Sequence, residues 1–169
     1  MSGVTPVQPR AGRPSASASW VVREATHEDI GAVACAVRDL LLELGGKPAS
    51  RDALEEAART LVEDPTAGVL LVADSDGVLT GLLGASWQHA VRIPGRYGLI
   101  QELWIHPSWR GRAIGGDLVA ALIEHARKRG IGRLEVGLPS ERFPHLAATE
   151  AFYVHNGFAA IGTRMRRLL

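Results

Sequence analysis

The chain has 169 residues, 46% of them hydrophobic, which is the usual size of one globular domain with a single substantial core. Its 19 Lys and Arg residues against 18 Asp and Glu leave a formal net charge of +1. Such a balance supplies no overall field to attract nucleic acid or an acidic membrane, so neither is expected as a partner. The single cysteine, Cys35, lies in an apolar helical pattern, which predicts a buried thiol in a reducing, cytoplasmic protein.

The start of the chain separates into an arm and a domain. Residues 1–18 are rich in Pro, Ser, Ala and Gly without apolar periodicity, so they cannot bury enough surface to offset their ordering entropy. They are predicted to form a flexible N-terminal arm, followed by one domain over residues 19–169. No apolar run approaches the roughly 20 residues that span a bilayer.

Two helices follow a short first strand over residues 20–23. Thr26 with Asp29 three residues later resembles a capping box. Apolar residues then recur at helical spacing until Gly45 and Gly46, which predicts a helix over residues 30–44. A second helix is predicted over residues 51–62.

The hydrophobic period changes to that of strands from Gly68 onwards. A short apolar run ends at Asp76 and Gly77, a pair typical of a hairpin turn, and the return strand begins at Val78. Gly81 and Gly84 within that strand predict a bulge or a close approach of two backbones. Pro94 and Gly95 predict a further turn of the chain.

The remaining elements alternate between strands and helices. The next strand is stopped by Pro107, and the helix after it ends at Gly130. The predicted elements are a strand over residues 97–106, a helix over 113–129, a strand over 133–138, a helix over 147–155 and a closing strand over 158–165.

A glycine-rich segment, residues 109–116, lies where a strand gives way to a helix. The first N–H groups of a helix lack partners within it and point along its positive dipole end, so such a corner can bind phosphate. Glycine-rich turns are often only turns, so the surroundings must decide between the two interpretations.

Those surroundings resemble the GCN5-related N-acetyltransferase (GNAT) family. Arg110-Gly111-Arg112-Ala113-Ile114-Gly115 is similar to its coenzyme A motif of Gln or Arg, two residues, Gly, one residue, then Gly or Ala. Ala113 replaces the first Gly of that motif. Residues 102–107 and 151–158 are similar to the family's preceding strand and its late helix, and the likeness covers residues 20–165.

The resemblance implies the fold and the donor. The expected fold is α/β, with a mixed, mostly antiparallel central sheet, splayed parallel strands four and five, and helices on both faces. Acetyl-CoA is the implied cosubstrate, with no metal. The backbone of Leu103, Trp104 and Ile105 would pair with the pantetheine arm. The diphosphate would lie on the helix start, formed by Arg110, Gly111, Arg112, Ala113, Ile114, Gly115 and Gly116.

The resemblance also implies catalytic residues. Tyr153 matches the family's tyrosine near the coenzyme sulfur, whose hydroxyl donates to the departing thiolate. A backbone N–H of Ile105 or its neighbour would stabilise the oxyanion. Glu102 or Glu135 would serve as the base, because apolar strand neighbours raise the pKa of a carboxyl group; Glu102 is preferred, since it lies on the strand expected to carry the thioester.

The predicted activity is therefore transfer of an acetyl group from acetyl-CoA to the primary amine of a small molecule, by direct attack. Two alternatives stay open: acetylation of proteins or peptides, and a non-catalytic acyl-CoA-binding regulatory module. Fold and coenzyme site do not determine the acceptor. The sequence also leaves a homodimer open.

Overall fold

The computed structural model describes residues 19–162 and residue 167. Its five strands form one sheet in the order β1-β2-β3-β4-β5, with neighbours antiparallel from β1 to β4 and parallel between β4 and β5. The predicted mixed, mostly antiparallel sheet is thereby confirmed. The strands are β1 Val21–Glu24, β2 Gly68–Ser75, β3 Val78–Ala90, β4 Ile93–Ile105 and β5 Leu134–Val136.

Four helices cover both faces of this sheet, as predicted. They are α1 Ile30–Glu43, α2 Arg51–Glu63, α3 Ile114–Lys128 and α4 Leu146–His155. Helices α1 and α2 pack against Leu70 and Trp104, among others, on what we call the α1/α2 face. Helix α3 and Tyr153 of α4 pack against Leu71 and Ile100 on the α3/α4 face.

The capping box before α1 is confirmed and anchors the first strand. The backbone N–H of Thr26 donates to Asp29 Oδ2 at 2.7 Å, and one 3₁₀ turn, His27–Asp29, leads into the helix. The guanidinium of Arg23 donates to both Asp29 and Asp74. The bonds from Arg23 to Asp29 lower the pKa of Asp29 to about 2. Because Arg23 also binds Asp74, one arginine of β1 connects the residue before α1 with β2.

The first hairpin turn is as predicted and the second is not. Asp76 and Gly77 have φ of 52° and 81°, the left-handed pair that a tight hairpin needs. The second turn is at residues 91–92 instead of Pro94 and Gly95, which lie inside β4 as a bulge between two pairs of the ladder. Proline has no N–H to donate, so an irregular point of a strand tolerates it.

Two further predictions differ from the structure, and a third concerns membrane spans. Cys35 is exposed, not buried, because it lies on the outer side of α1 while Val33 and Ala36 face the sheet. The predicted closing strand is absent from residues 158–162, which are irregular and largely exposed; its last residues, like the predicted arm 1–18, lie outside the described residues. None of the described helices has the length and hydrophobicity to cross a membrane.

Candidate active site

The candidate site begins where β4 extends beyond the last residue that pairs with β5. Strand β5 pairs only with residues 98–100 of β4, whereas the rest of β4, to Ile105, keeps β3 on one edge. Within the described residues no strand pairs with the other edge of residues 101–105. Gln101 is the extra residue of a bulge, because Ile100 opposes Ala85 and Glu102 opposes Gly84. The two parallel strands thus leave an open edge, as expected.

Alternation decides which residues of β4 face this open edge. The N–H of His106 donates to the carbonyl of Thr80 at 2.9 Å, so His106 directs its backbone groups toward β3. In an antiparallel ladder every second residue does the same, which places the backbone of Trp104 toward β3 as well. Leu103 and Ile105 direct theirs to the open edge. The structure therefore brings two of the three predicted pantetheine partners to that edge and turns Trp104 away.

The glycine-rich segment forms a corner between β4 and α3. A 3₁₀ turn, Pro107–Trp109, follows the strand, and Ala113 precedes α3 without a side-chain cap. Gly111 has φ of 76° and open space where a side chain would stand. The backbone there needs glycine, and the first amides of α3 carry the partial positive charge that suits an anion.

The other two glycines of this segment have different neighbours. A Cβ on Gly115 would stand 3.1 Å from the ring of Phe152, so this glycine lets α3 approach α4 closely. Gly116 faces Asn156 at 3.8 Å by the same measure. Gly115 therefore serves helix packing, whatever else its amide binds. Ile114 is fully buried beside it and fixes the start of the helix in the core.

The two arginines of the segment lie in different places. The Arg112 guanidinium stacks over the Trp109 ring, 4.8 Å from its centroid, and stays at the corner. Arg110 extends away from the corner: its Nε donates to the carbonyl of Ile105 at 3.0 Å, and a terminal nitrogen donates to both Glu43 oxygens at 2.6 and 2.7 Å. Sequence reasoning missed Glu43, since 67 residues separate the pair.

Glu102 lies on the α1/α2 face beside the open edge. A Cβ added to Gly84 would overlap Glu102 Oε2 and would touch Leu70, so the carboxyl group rests on bare backbone next to an apolar side chain. Desolvation raises the pKa of Glu102 from 4.5 to about 7. A carboxyl group in this state can take or release a proton near neutral pH. The bulge predicted at Gly84 is present, between Gly84 and Ala85, and the close neighbour of this glycine is the Glu102 side chain.

Glu135, the second candidate base, is engaged with arginines. Its side chain is 9% exposed and accepts bonds from Arg133 Nε at 2.9 Å and a terminal nitrogen at 2.8 Å. Arg92, from the turn between β3 and β4, adds an ion pair at 3.7 Å. The Glu135 carboxylate is therefore occupied by two arginine side chains, as in a structural ion-pair network.

Tyr153 lies on the other face of the sheet. Its side chain is 7% exposed and packs between the rings of Phe152 and Phe158, with centroids 5.2 and 5.4 Å away. Burial raises the pKa of Tyr153 to about 12, so its hydroxyl stays protonated at neutral pH. It lines a cavity of about 1140 Å³ together with all three residues of β5. Glu102 and Tyr153 thus lie on opposite faces of the sheet.

Comparison with known proteins identifies relatives of this arrangement. The profile of the acetyltransferase (GNAT) family matches residues 20–158. The L-amino acid N-acyltransferase MnaT of Escherichia coli (strain K12) is 30% identical over 115 residues. That match covers 66% of this chain and 63% of MnaT, so the chain spans less than two thirds of that relative's length.

Solved structures share the fold. A protein of Arthrobacter sp. FB24 assigned to the acetyltransferases is 29% identical, with a TM-score of 0.73 over 92% of this chain and 99% of its own. The aminoglycoside N-acetyltransferase AAC(6')-Iy, solved in complex with CoA, has a TM-score of 0.74 at 14% identity, over 96% of this chain and 99% of its own.

Proposed function

The chain belongs to the GNAT family of acetyltransferases, and we propose that it transfers the acetyl group of acetyl-CoA to the primary amine of a small molecule. The observation that carries this proposal is Glu102: a carboxyl group with a pKa raised to about 7, resting on Gly84 beside the open edge of β4. A proton acceptor of this kind suits an amine that must lose a proton before it attacks.

The donor fits the corner and the edge. The amides at the start of α3 and the left-handed Gly111 suit the diphosphate of the coenzyme. Leu103 and Ile105 offer backbone groups to the amides of the pantetheine arm, in the manner of an added strand. The Ile105 carbonyl already accepts from Arg110, so its N–H is the group left to stabilise the oxyanion.

Glu102 and Tyr153 would each take part in one proton transfer, from opposite faces of the sheet. Glu102 accepts a proton from the amine on the α1/α2 face, because burial leaves its carboxyl group partly ionised at neutral pH. Tyr153 donates from the α3/α4 face, because its hydroxyl stays protonated. As the C–S bond of the thioester breaks, that O–H group donates to the departing thiolate sulfur. The open edge is what lets one substrate pair reach both faces.

L-Amino acids are the first acceptor class to test, since the relative MnaT is an L-amino acid N-acyltransferase. Such an acceptor would approach Glu102 from the α1/α2 face. The protein or peptide amine remains the second candidate. The proposed division of the chain, one domain over residues 19–169 and an arm over residues 1–18, suits either class of acceptor.

The test is release of free thiol from acetyl-CoA in the presence of a panel of L-amino acids, other small amines and short peptides. We expect release with at least one small amine, at a rate that depends on its concentration. Release with peptides alone would favour the protein acetyltransferase. Saturable binding of acetyl-CoA without release by any amine or peptide would leave a regulatory binding module and overturn the proposal.

A further inference from the structure

The Arg110 side chain joins two elements that the chain order keeps apart. Its Nε donates to the carbonyl of Ile105, the last residue of β4, and its terminal nitrogen binds both oxygens of Glu43, the last residue of α1. One guanidinium thus ties the end of the open-edged strand to the end of a helix on the α1/α2 face.

The position of Glu43 shows that the contact is built rather than incidental. A carboxylate at a helix C-terminus meets the negative end of the helix dipole, which is unfavourable. The last turn of α1 contains no basic residue to balance it. Arg110 supplies the missing positive charge from another element, with both carboxylate oxygens within 2.7 Å.

The end of α1 matters because of where it lies. Val37 and Leu40, in the last two turns of α1, pack against the cluster that contains Leu70 and Trp104, on the face that carries the Glu102 carboxyl group. The connection to α2, residues 44–50, starts directly after Glu43 with Gly45 at φ of 74°. Ile105 is three residues beyond Glu102 on β4. The contact of Arg110 with Glu43, which we call the clamp, therefore fixes the end of α1 and the start of this connection against the end of β4.

We propose that Arg110 is a positioning residue for the acceptor: with Glu43 it holds the end of α1 and residues 44–50 where an acceptor amine can reach Glu102. This inference rests on the proposed function. It gives the Arg110 side chain a different task from the diphosphate contact expected from the sequence, and it leaves the donor corner to the backbone amides and Arg112.

The test compares Glu43→Gln with Glu55→Gln. Gln keeps the size of the side chain and removes its charge. Glu55 pairs with Arg51 at 2.6 Å on α2, so its variant breaks a matched surface ion pair elsewhere. The readouts are the KM and kcat for the L-amino acid that releases most thiol, and the Kd of acetyl-CoA measured separately by calorimetry.

We expect Glu43→Gln to raise the acceptor KM about 5-fold, with the acetyl-CoA Kd within about 2-fold of wild type. Glu55→Gln should leave both unchanged. Added salt should raise the wild-type KM toward that of Glu43→Gln and leave the variant unaffected, because salt screens an exposed pair. An acceptor KM equal in both variants would overturn the inference, as would a weakened acetyl-CoA Kd with an unchanged acceptor KM.

Amide hydrogen exchange separates this inference from the proposed function. If the wild-type protein releases no thiol, the proposed function fails, and exchange in residues 44–50 still tests the clamp. Glu43→Gln should speed exchange there about 3-fold or more, and Glu55→Gln should not. Equal exchange in the two variants would show that Arg110 does not hold this connection.

Discussion

Replacing Glu102 with Gln tests the proposed, partly buried base through stability as well as rate. Burial raises the pKa of Glu102 from 4.5 to about 7, so the folded protein binds this proton more tightly than the unfolded chain does. The folded state is then at a disadvantage wherever the carboxyl group must ionise. Gln cannot ionise, and it fits over Gly84 with nearly the same shape.

The magnitude follows from the shift. The rise in the pKa of Glu102 from 4.5 to about 7 corresponds to roughly 3 kcal/mol. Stability contributed by the protonated Glu102 is fully present below about pH 4.5 and is lost as the pH rises to about 7. Between pH 4.5 and pH 8, the unfolding free energy of Glu102→Gln should therefore rise relative to that of wild type by up to about 3 kcal/mol.

Urea unfolding of both proteins at pH 4.5 and pH 8 measures this directly. In parallel, kcat/KM should fall about 100-fold or more in the variant and lose its acid limb with an apparent pKa near 7. A stability difference that is the same at both pH values would refute the buried, ionisable base. So would an unchanged pH profile of the variant.

Three other predictions concern the remaining parts of the site and its scaffold. Tyr153→Phe should lower kcat about 100-fold with acetyl-CoA and much less with an aryl thioester, whose thiolate leaves without a proton; equal losses with both donors would rule out a proton donor. Gly111→Ala should cost about 1 kcal/mol in unfolding free energy and weaken acetyl-CoA binding, because its φ is 76°. Gly132→Ala, in equally open space, is the control. Asp29→Asn should cost about 2 kcal/mol at pH 7 and almost nothing at pH 2, since the pKa of Asp29 is lowered to about 2 and its contribution fades as the pH falls; unfolding curves at both pH values decide.

Local signals predicted much of this fold. The capping box at Thr26 and the Asp76-Gly77 turn depend on residues within three or four positions of one another, and both are present. The turn predicted at Pro94 and Gly95 was wrong, because a bulge and a turn use the same residue types. The actual turn, residues 91–92, carries Val and Arg, which give no turn signal. Cys35 shows that helical spacing alone does not place every apolar residue inward.

The candidate site likewise contains features that local motifs predict and features that depend on contacts between distant segments. Short motifs predicted Glu102, Tyr153 and the glycine corner as site residues, and these roles stay predictions. Gly84 predicted a bulge, which is present, but not its contact with the Glu102 carboxyl group. Contacts between distant segments gave no signal. The pairing of Arg110 with Glu43 and the arginines around Glu135 depend on how the elements pack. The sequence already favoured Glu102 over Glu135, and the structure adds the contacts that distinguish the two carboxyl groups.

Residue-resolved amide exchange with and without acetyl-CoA shows whether the coenzyme binds along the open edge of β4 and at the start of α3. Saturating acetyl-CoA should slow exchange of the Leu103 and Ile105 amides and of the first amides of α3, residues 114–116. The Trp104 amide, which faces β3, should change little because it already has a strand partner. Protection confined to other elements, or no protection at high micromolar acetyl-CoA, would contradict the account.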